Sequence, residues 1–140
     1  VHSACRALQN RECTVAIANT YYYVRLAKSA KPDERAIAEK VGVIFPNQSG
    51  RGAHVNVSGA GVLRSAPHKE AAVRFLEYLA SDEAQSYFAE GNNEYPAVAS
   101  IKANAALQSL GAFKRDSLNV TLLGRNQAAA QQVYDRAGWK

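Results

Sequence analysis

The sequence predicts an α/β fold built from short strands and more helix than strand. Three observations lead there. Short apolar runs rich in β-branched residues stand at 13–18 (CTVAIA) and 41–45 (VGVIF), and 54–58 (HVNVS) alternates, as strands require. Between and after them lie amphipathic segments with helical spacing and recognisable caps. The 140 residues are 47% hydrophobic and 21% charged, enough apolar material for a core and too apolar a balance for disorder.

Taken in order, residues 3–11 (SACRALQNR) read as helix, followed by the strand at 13–18. Asn19 and Thr20 interrupt the strand, and Thr20 is a good N-cap for a helix running from Tyr21 to Ala30. Pro32 and Asp33 start a short helix to about Lys40, and the strand 41–45 follows. Residues 46–53 (PNQSGRGA) are dense in turn formers and read as a loop. The strand at 54–58 runs into the flexible Gly59-Ala60-Gly61. Pro67 opens an amphipathic helix to about Leu79, with Ala71, Ala72, Phe75, Leu76 and Leu79 on its apolar face. Ser81 caps the next helix, 82–89, where Asp82 and Glu83 suit the first turn. Residues 91–96 are a turn. Helices follow at about 100–110 and 125–137, separated by a loop around 116–119. Gly138 is placed to end the last helix.

Composition excludes several function classes. No apolar run reaches the roughly 18 residues of a membrane span. Val1 begins in helix-like sequence without a basic n-region and apolar h-region, so a signal peptide is expected to be absent or already removed. With no methionine, the chain reads as trimmed. The net charge is +5, yet Lys and Arg are scattered singly along helical segments, which argues against nucleic acid. Cys5 and Cys13 lack CxxC spacing and a nearby histidine to complete a zinc set. A disulfide and a pair of buried free thiols both remain open for them.

The feature that carries chemistry is the strand-to-helix junction Ala18-Asn19-Thr20-Tyr21-Tyr22-Tyr23. Such junctions collect binding sites in α/β folds, because backbone N–H groups and the helix dipole point outward there. In a regular helix adjacent side chains diverge by about 100°. At a first turn the backbone departs from that geometry, so two phenols can converge. A phenol has a reference pKa of about 10. A trivalent cation stabilises the phenolate and displaces the proton, and oxygen ligands suit a hard cation. The competing reading is packing, in which tyrosines at a helix start fill a core and bond a surface partner. Tyr23 is best read in that way.

Other constellations carry less. His2, His54 and His68 show no HExxH spacing; His54 reads as structural and His68 as exposed. Ser58-Gly59-Ala60-Gly61 is not a nucleophile elbow, since Asn56 precedes Ser58 by two. Gly59-Ala60-Gly61 is not a dinucleotide fingerprint, since Arg64 stands at the last glycine position. Glu94-Tyr95-Pro96 reads as a packing and turn element. No paired carboxylates stand out for acid–base work.

The run Ala18-Asn19-Thr20-Tyr21-Tyr22, after a short strand, resembles the tyrosine-pair motif of periplasmic ferric-iron-binding proteins. These serve bacterial iron ABC transporters and belong to the transferrin-like superfamily. The likeness continues through Phe45-Pro46-Asn47-Gln48 and the stretch from Gly52 to Val62. It extends through Ala66-Pro67-His68-Lys69-Glu70-Ala71-Ala72, Phe75-Leu76-Glu77-Tyr78-Leu79, Asn93-Glu94-Tyr95-Pro96 and the ending Arg136-Ala137-Gly138-Trp139-Lys140. The resemblance implies an α/β fold that is the C-terminal half of a two-lobed periplasmic binding protein (type II), with short mixed sheets flanked by helices. Residues 1–55 are then a C-terminal-lobe segment with the tyrosine-pair site. Residues 56–105 cross to the N-terminal lobe, with His54 to Val57 as a hinge strand, and 106–140 return.

The same resemblance implies that Tyr21 and Tyr22 are phenolate ligands to Fe³⁺. It implies that Asn19 helps hold a synergistic anion, phosphate or carbonate. The expected function is a solute-binding component in the periplasm that delivers iron to an inner-membrane ABC permease, without catalysis. Family members are about twice this length, and their other ligands lie upstream of the stretch matched here. The site is then half-built, affinity is weak, and the chain associates with the missing N-terminal half or a second copy. Two rivals are a binding protein for a non-metal ligand such as an anion or polyamine, and a hydrolase using Ser58 and His54.

Overall fold

The computed structural model describes residue 10 and residues 12–138. Cys5, nearly all of the helix expected at 3–11, and Trp139 and Lys140 lie outside the described residues. The chain divides into two compact units. One comprises the described residues up to Ile44 together with Asn56–Ala112; the other comprises Phe45–Val55 and the chain from Phe113 onward.

The first unit is helical. Helix α1 (Thr20–Ala27) and helix α2 (Pro32–Glu39) pack together. Leu26 of α1 and Ile37 and Ala38 of α2 form a buried cluster on which Tyr23 packs. Burial of a large aliphatic side chain contributes about 1.5–3 kcal/mol, so these few contacts hold the pair. Pro32 occupies the helix start, where its missing N–H costs nothing, with Asp33 and Glu34 in the first turn. Ser29 organises the turn between the helices. Its hydroxyl donates to the Glu34 carboxylate at 2.6 Å, and Arg35 donates to its carbonyl at 2.7 Å.

Helix α3 (Lys69–Leu79) and helix α4 (Asp82–Gly91) follow. α3 buries no residue completely; Leu76 and Leu79 are half-buried and Phe75 is exposed. Its apolar stripe is real but only partly covered. Ser81 caps α4 as its sequence predicts, accepting from the Ala84 N–H at 3.3 Å. Helix α5 (Ala105–Gln108) is much shorter than the helix expected over 100–110. Asn104 caps it by accepting from the Leu107 N–H at 3.0 Å, and the left-handed Gly111 follows soon after. Leu107 is fully buried, and α5 packs against α1.

The short mixed sheets do not form among the described residues, so the strands expected at 13–18, 41–45 and 54–58 stand corrected. The one pairing among the described residues is an isolated parallel bridge, Ala53 with Arg115. A strand is stable only when a neighbour satisfies its N–H and C=O groups, and no other pairing joins these runs to a described segment. Their apolar side chains are left in solvent: Val15 is 80% exposed, Ile17 81% and Ile44 88%. His54, expected to be structural, is exposed for the same reason; His68 is exposed as expected.

The second unit is built on that bridge. The Ala53 N–H donates to the Lys114 carbonyl at 2.9 Å, and the Asp116 N–H to the Ala53 carbonyl at 2.8 Å. Gln48 clasps Lys114 from the side, accepting from its N–H at 2.7 Å and donating to its carbonyl at 3.2 Å. Phe45 and Phe113 stack with centroids 4.1 Å apart. Helix α6 (Thr121–Ala137) buries no residue. It starts earlier than the sequence suggests because the Asn119 side chain accepts from the Thr121 N–H at 2.9 Å. Gly138 ends it in a left-handed conformation, φ 63°. No helix among the described residues is long and apolar enough to cross a membrane.

Candidate metal centre

The candidate site lies where the segment 13–18 delivers the chain to α1. Asn19 is extended, with φ −75° and ψ 147°, and stands at the N-cap position that the sequence suggests for Thr20. Its side chain does not cap the helix. Instead, the Asn19 amide donates to the phenol oxygen of Tyr21 at 3.2 Å. That competition explains the shifted boundary: the amide is spent on the phenol, and Thr20 becomes the first helical residue.

Tyr21 and Tyr22 converge. Their ring centroids are 4.2 Å apart with planes tilted by 40°, and each phenol shifts the acidity of the other. The first turn thus brings together two positions that an ideal helix would separate by about 100°. Both side chains are half-buried, so the oxygens remain within reach of a solute. The structure therefore brings together Asn19, Tyr21 and Tyr22, the three residues singled out from sequence.

The two phenols are electrostatically unequal. Hydrogen bonds from Tyr22 and then Asn19 hold Tyr21 below the ordinary phenol value, because both stabilise its phenolate. Tyr22 is pushed up, first by its hydrogen bond to Tyr21 and then by repulsion from the Tyr21 phenolate. Two further residues act here that the sequence reading missed. The Arg25 guanidinium lies 6.0 Å from the Tyr22 ring centroid and favours ionisation of both phenols. Its spacing, one helical turn after the pair, was a usable signal. Glu94 opposes ionisation of Tyr21 from a distant part of the chain, and nothing in the local sequence announces it.

Tyr23 behaves as its sequence reading suggests. Its hydroxyl donates to the Ala38 carbonyl at 3.3 Å, and its ring packs on the α1–α2 cluster. Among the described residues no group of three His, Cys, Asp or Glu side chains could hold a metal. The oxygen donors that do converge are phenols, which suit a hard, highly charged cation.

Residues 13–115 match the model of a family described as bacterial extracellular solute-binding protein. This chain belongs to that family. As a solute-binding protein it is 53% identical over 128 residues to iron uptake protein A2 of Synechocystis sp., a match covering 90% of this chain and 37% of that protein. Its fold superposes with a TM-score of 0.93 on the FutA (IdiA) protein of Trichodesmium, solved in complex with iron and citrate ligands. That match has 50% identity and covers 99% of this chain and 44% of the other. The ferric binding protein of Campylobacter jejuni gives a TM-score of 0.91 at 31% identity, again covering 99% of this chain and 44% of that one. The solute-binding protein thus spans about two-fifths of the relatives it matches, within their C-terminal portion. The resemblance to ferric-iron-binding proteins drawn from the tyrosine-pair motif holds at the level of the family and of its solved structures.

Proposed function

We propose that this chain contributes Tyr21 and Tyr22 as phenolate ligands to Fe³⁺ in a bacterial iron-binding protein of the periplasm, which passes its cargo to an inner-membrane ABC permease. The observation that carries the reading is the convergence of the two tyrosine rings, with the Tyr21 oxygen already accepting a hydrogen bond from Asn19. Similarity to proteins of iron uptake supports it, and no catalytic step is involved. Two phenolates cancel two of the three charges on Fe³⁺. The remainder calls for a further anion near Asn19 and the start of α1, where the helix dipole favours negative charge. Phosphate or carbonate fills that role here; citrate accompanies iron in the Trichodesmium relative.

In the full-length fold we place residues 1–55 and 106–140 in the C-terminal lobe and 56–105 across in the N-terminal lobe. The other ligands come from outside this chain, so iron binding by these 140 residues alone is weak. Ferric iron added to the purified chain should produce a phenolate-to-iron charge-transfer colour. Tyr21→Phe and Tyr22→Phe should each remove most of it with little change in thermal stability. Undiminished colour in both variants would place iron elsewhere.

A further inference from the structure

We propose that Asn93 is a positioning residue for the tyrosine pair, acting through Lys28 at the far end of α1; this rests on the reading of Tyr21 and Tyr22 as the metal-binding groups. Asn93 has no role in that reading, yet it is 92% buried. Its side-chain oxygen accepts two hydrogen bonds, from Lys28 Nζ at 3.0 Å and from Asn104 Nδ2 at 3.0 Å. Asn104, also buried, donates to the Ala89 carbonyl at 2.7 Å and caps α5. Through one amide oxygen, the end of α1 is thereby tied to α4 and to α5. Buried polar groups satisfied in this way fix one arrangement, because any other leaves a donor or acceptor unpaired.

The geometry bears on the site because α1 is a rod of only eight residues. Val24 and Leu26 bury its middle, and Tyr23 fixes one side against α2. Apolar contacts are non-directional and let a short helix roll or tilt. The Lys28–Asn93 bond is directional and sits at the end opposite Tyr21 and Tyr22, where it opposes both motions. Asn93 also adopts a left-handed conformation, φ 57°.

The left-handed backbone makes a clean test available. Asn93→Gly keeps the turn, since glycine adopts φ above zero freely, and deletes only the amide. Asn93→Asp keeps an oxygen that can accept from both donors and should rescue. In the iron-free chain, the Tyr21 and Tyr22 ring-proton resonances should shift in Asn93→Gly, return in Asn93→Asp, and leave Tyr87 in place. With ferric iron, Asn93→Gly should bind about 10-fold more weakly, the usual cost of losing an outer support of a metal ligand. Should Asn93→Gly not fold, Lys28→Met deletes the same hydrogen bond from an exposed position and should shift the same resonances. Unmoved Tyr21 and Tyr22 resonances would overturn the proposal, as would a general shift that includes Tyr87. Moved resonances in a chain that develops no iron colour would leave the positioning role standing and defeat the ferric reading alone.

Discussion

The rings of Tyr21 and Tyr22 stand 4.2 Å apart, and the two chemically identical neighbours are shifted in opposite directions, Tyr21 below the ordinary phenol value and Tyr22 above it. Tyr21 carries the more stabilised phenolate, supported by Asn19 as well. The order of ionisation follows. In an alkaline titration of the iron-free chain, Tyr21 should lose its proton below the ordinary phenol value of about 10 and Tyr22 above it. Tyr22→Phe removes the neighbouring hydroxyl and should raise Tyr21 toward that value, read from near-ultraviolet phenolate absorbance. An unchanged Tyr21 in that variant would show that the Tyr22 hydroxyl does not set its acidity.

Metal capture by phenols has a fixed sign with pH. Each phenolate that forms on iron releases a proton, so binding strengthens as pH rises as long as both phenols are protonated in the free chain. At constant free ferric iron, two released protons give about a 100-fold gain in affinity per pH unit, and Tyr22→Phe should reduce that to about 10-fold. Competition titrations at several pH values measure the slope directly. A slope unaltered by Tyr22→Phe would mean that only one phenol ionises on binding.

The second unit depends on a glycine. Gly52 has φ 100°, and a Cβ there would stand 2.7 Å from the Lys114 carbonyl oxygen. Gly52→Ala should cost about 1–3 kcal/mol through strain and clash. Loss of hydrogen-exchange protection at the Ala53 and Asp116 N–H groups should accompany it, because the bridge carries both.

Ser81 offers a smaller and local effect. Its hydroxyl satisfies the Ala84 N–H at the start of α4, so Ser81→Ala should destabilise by about 1 kcal/mol. Ferric colour should persist. Chemical denaturation compared with the parent chain is sufficient to see it.

Solvent-facing Val15, Ile17 and Ile44 predict self-association. Sedimentation at rising concentration should show it. Ile17→Lys should weaken it while costing less than about 0.5 kcal/mol, since an exposed side chain has little packing to lose.

How much of this was legible in the sequence varied with the range of the interaction. Ser81, Pro32 and Gly138 act within a turn of their own positions, and each ends or begins a helix as read. The tyrosine pair was also legible, because its two members and Asn19 are contiguous. The strands were not: alternation reports a wish for a neighbour and cannot say whether the described chain supplies one. Asn93 and Lys28 lie 65 residues apart, and no periodicity links them. Glu94 was unreadable for the same reason, whereas Arg25 was missed although it lies on the same helix as the pair.

The segment 13–18 has a consequence for recognition. Cys13, Val15 and Ile17 alternate with Thr14, Ala16 and Ala18, so a polypeptide laid alongside as a strand would meet large side chains on one face and small ones on the other. A slip of one residue would exchange those faces. Val15 and Ile17 would then act as a vernier, favouring a partner strand at one offset over its neighbours.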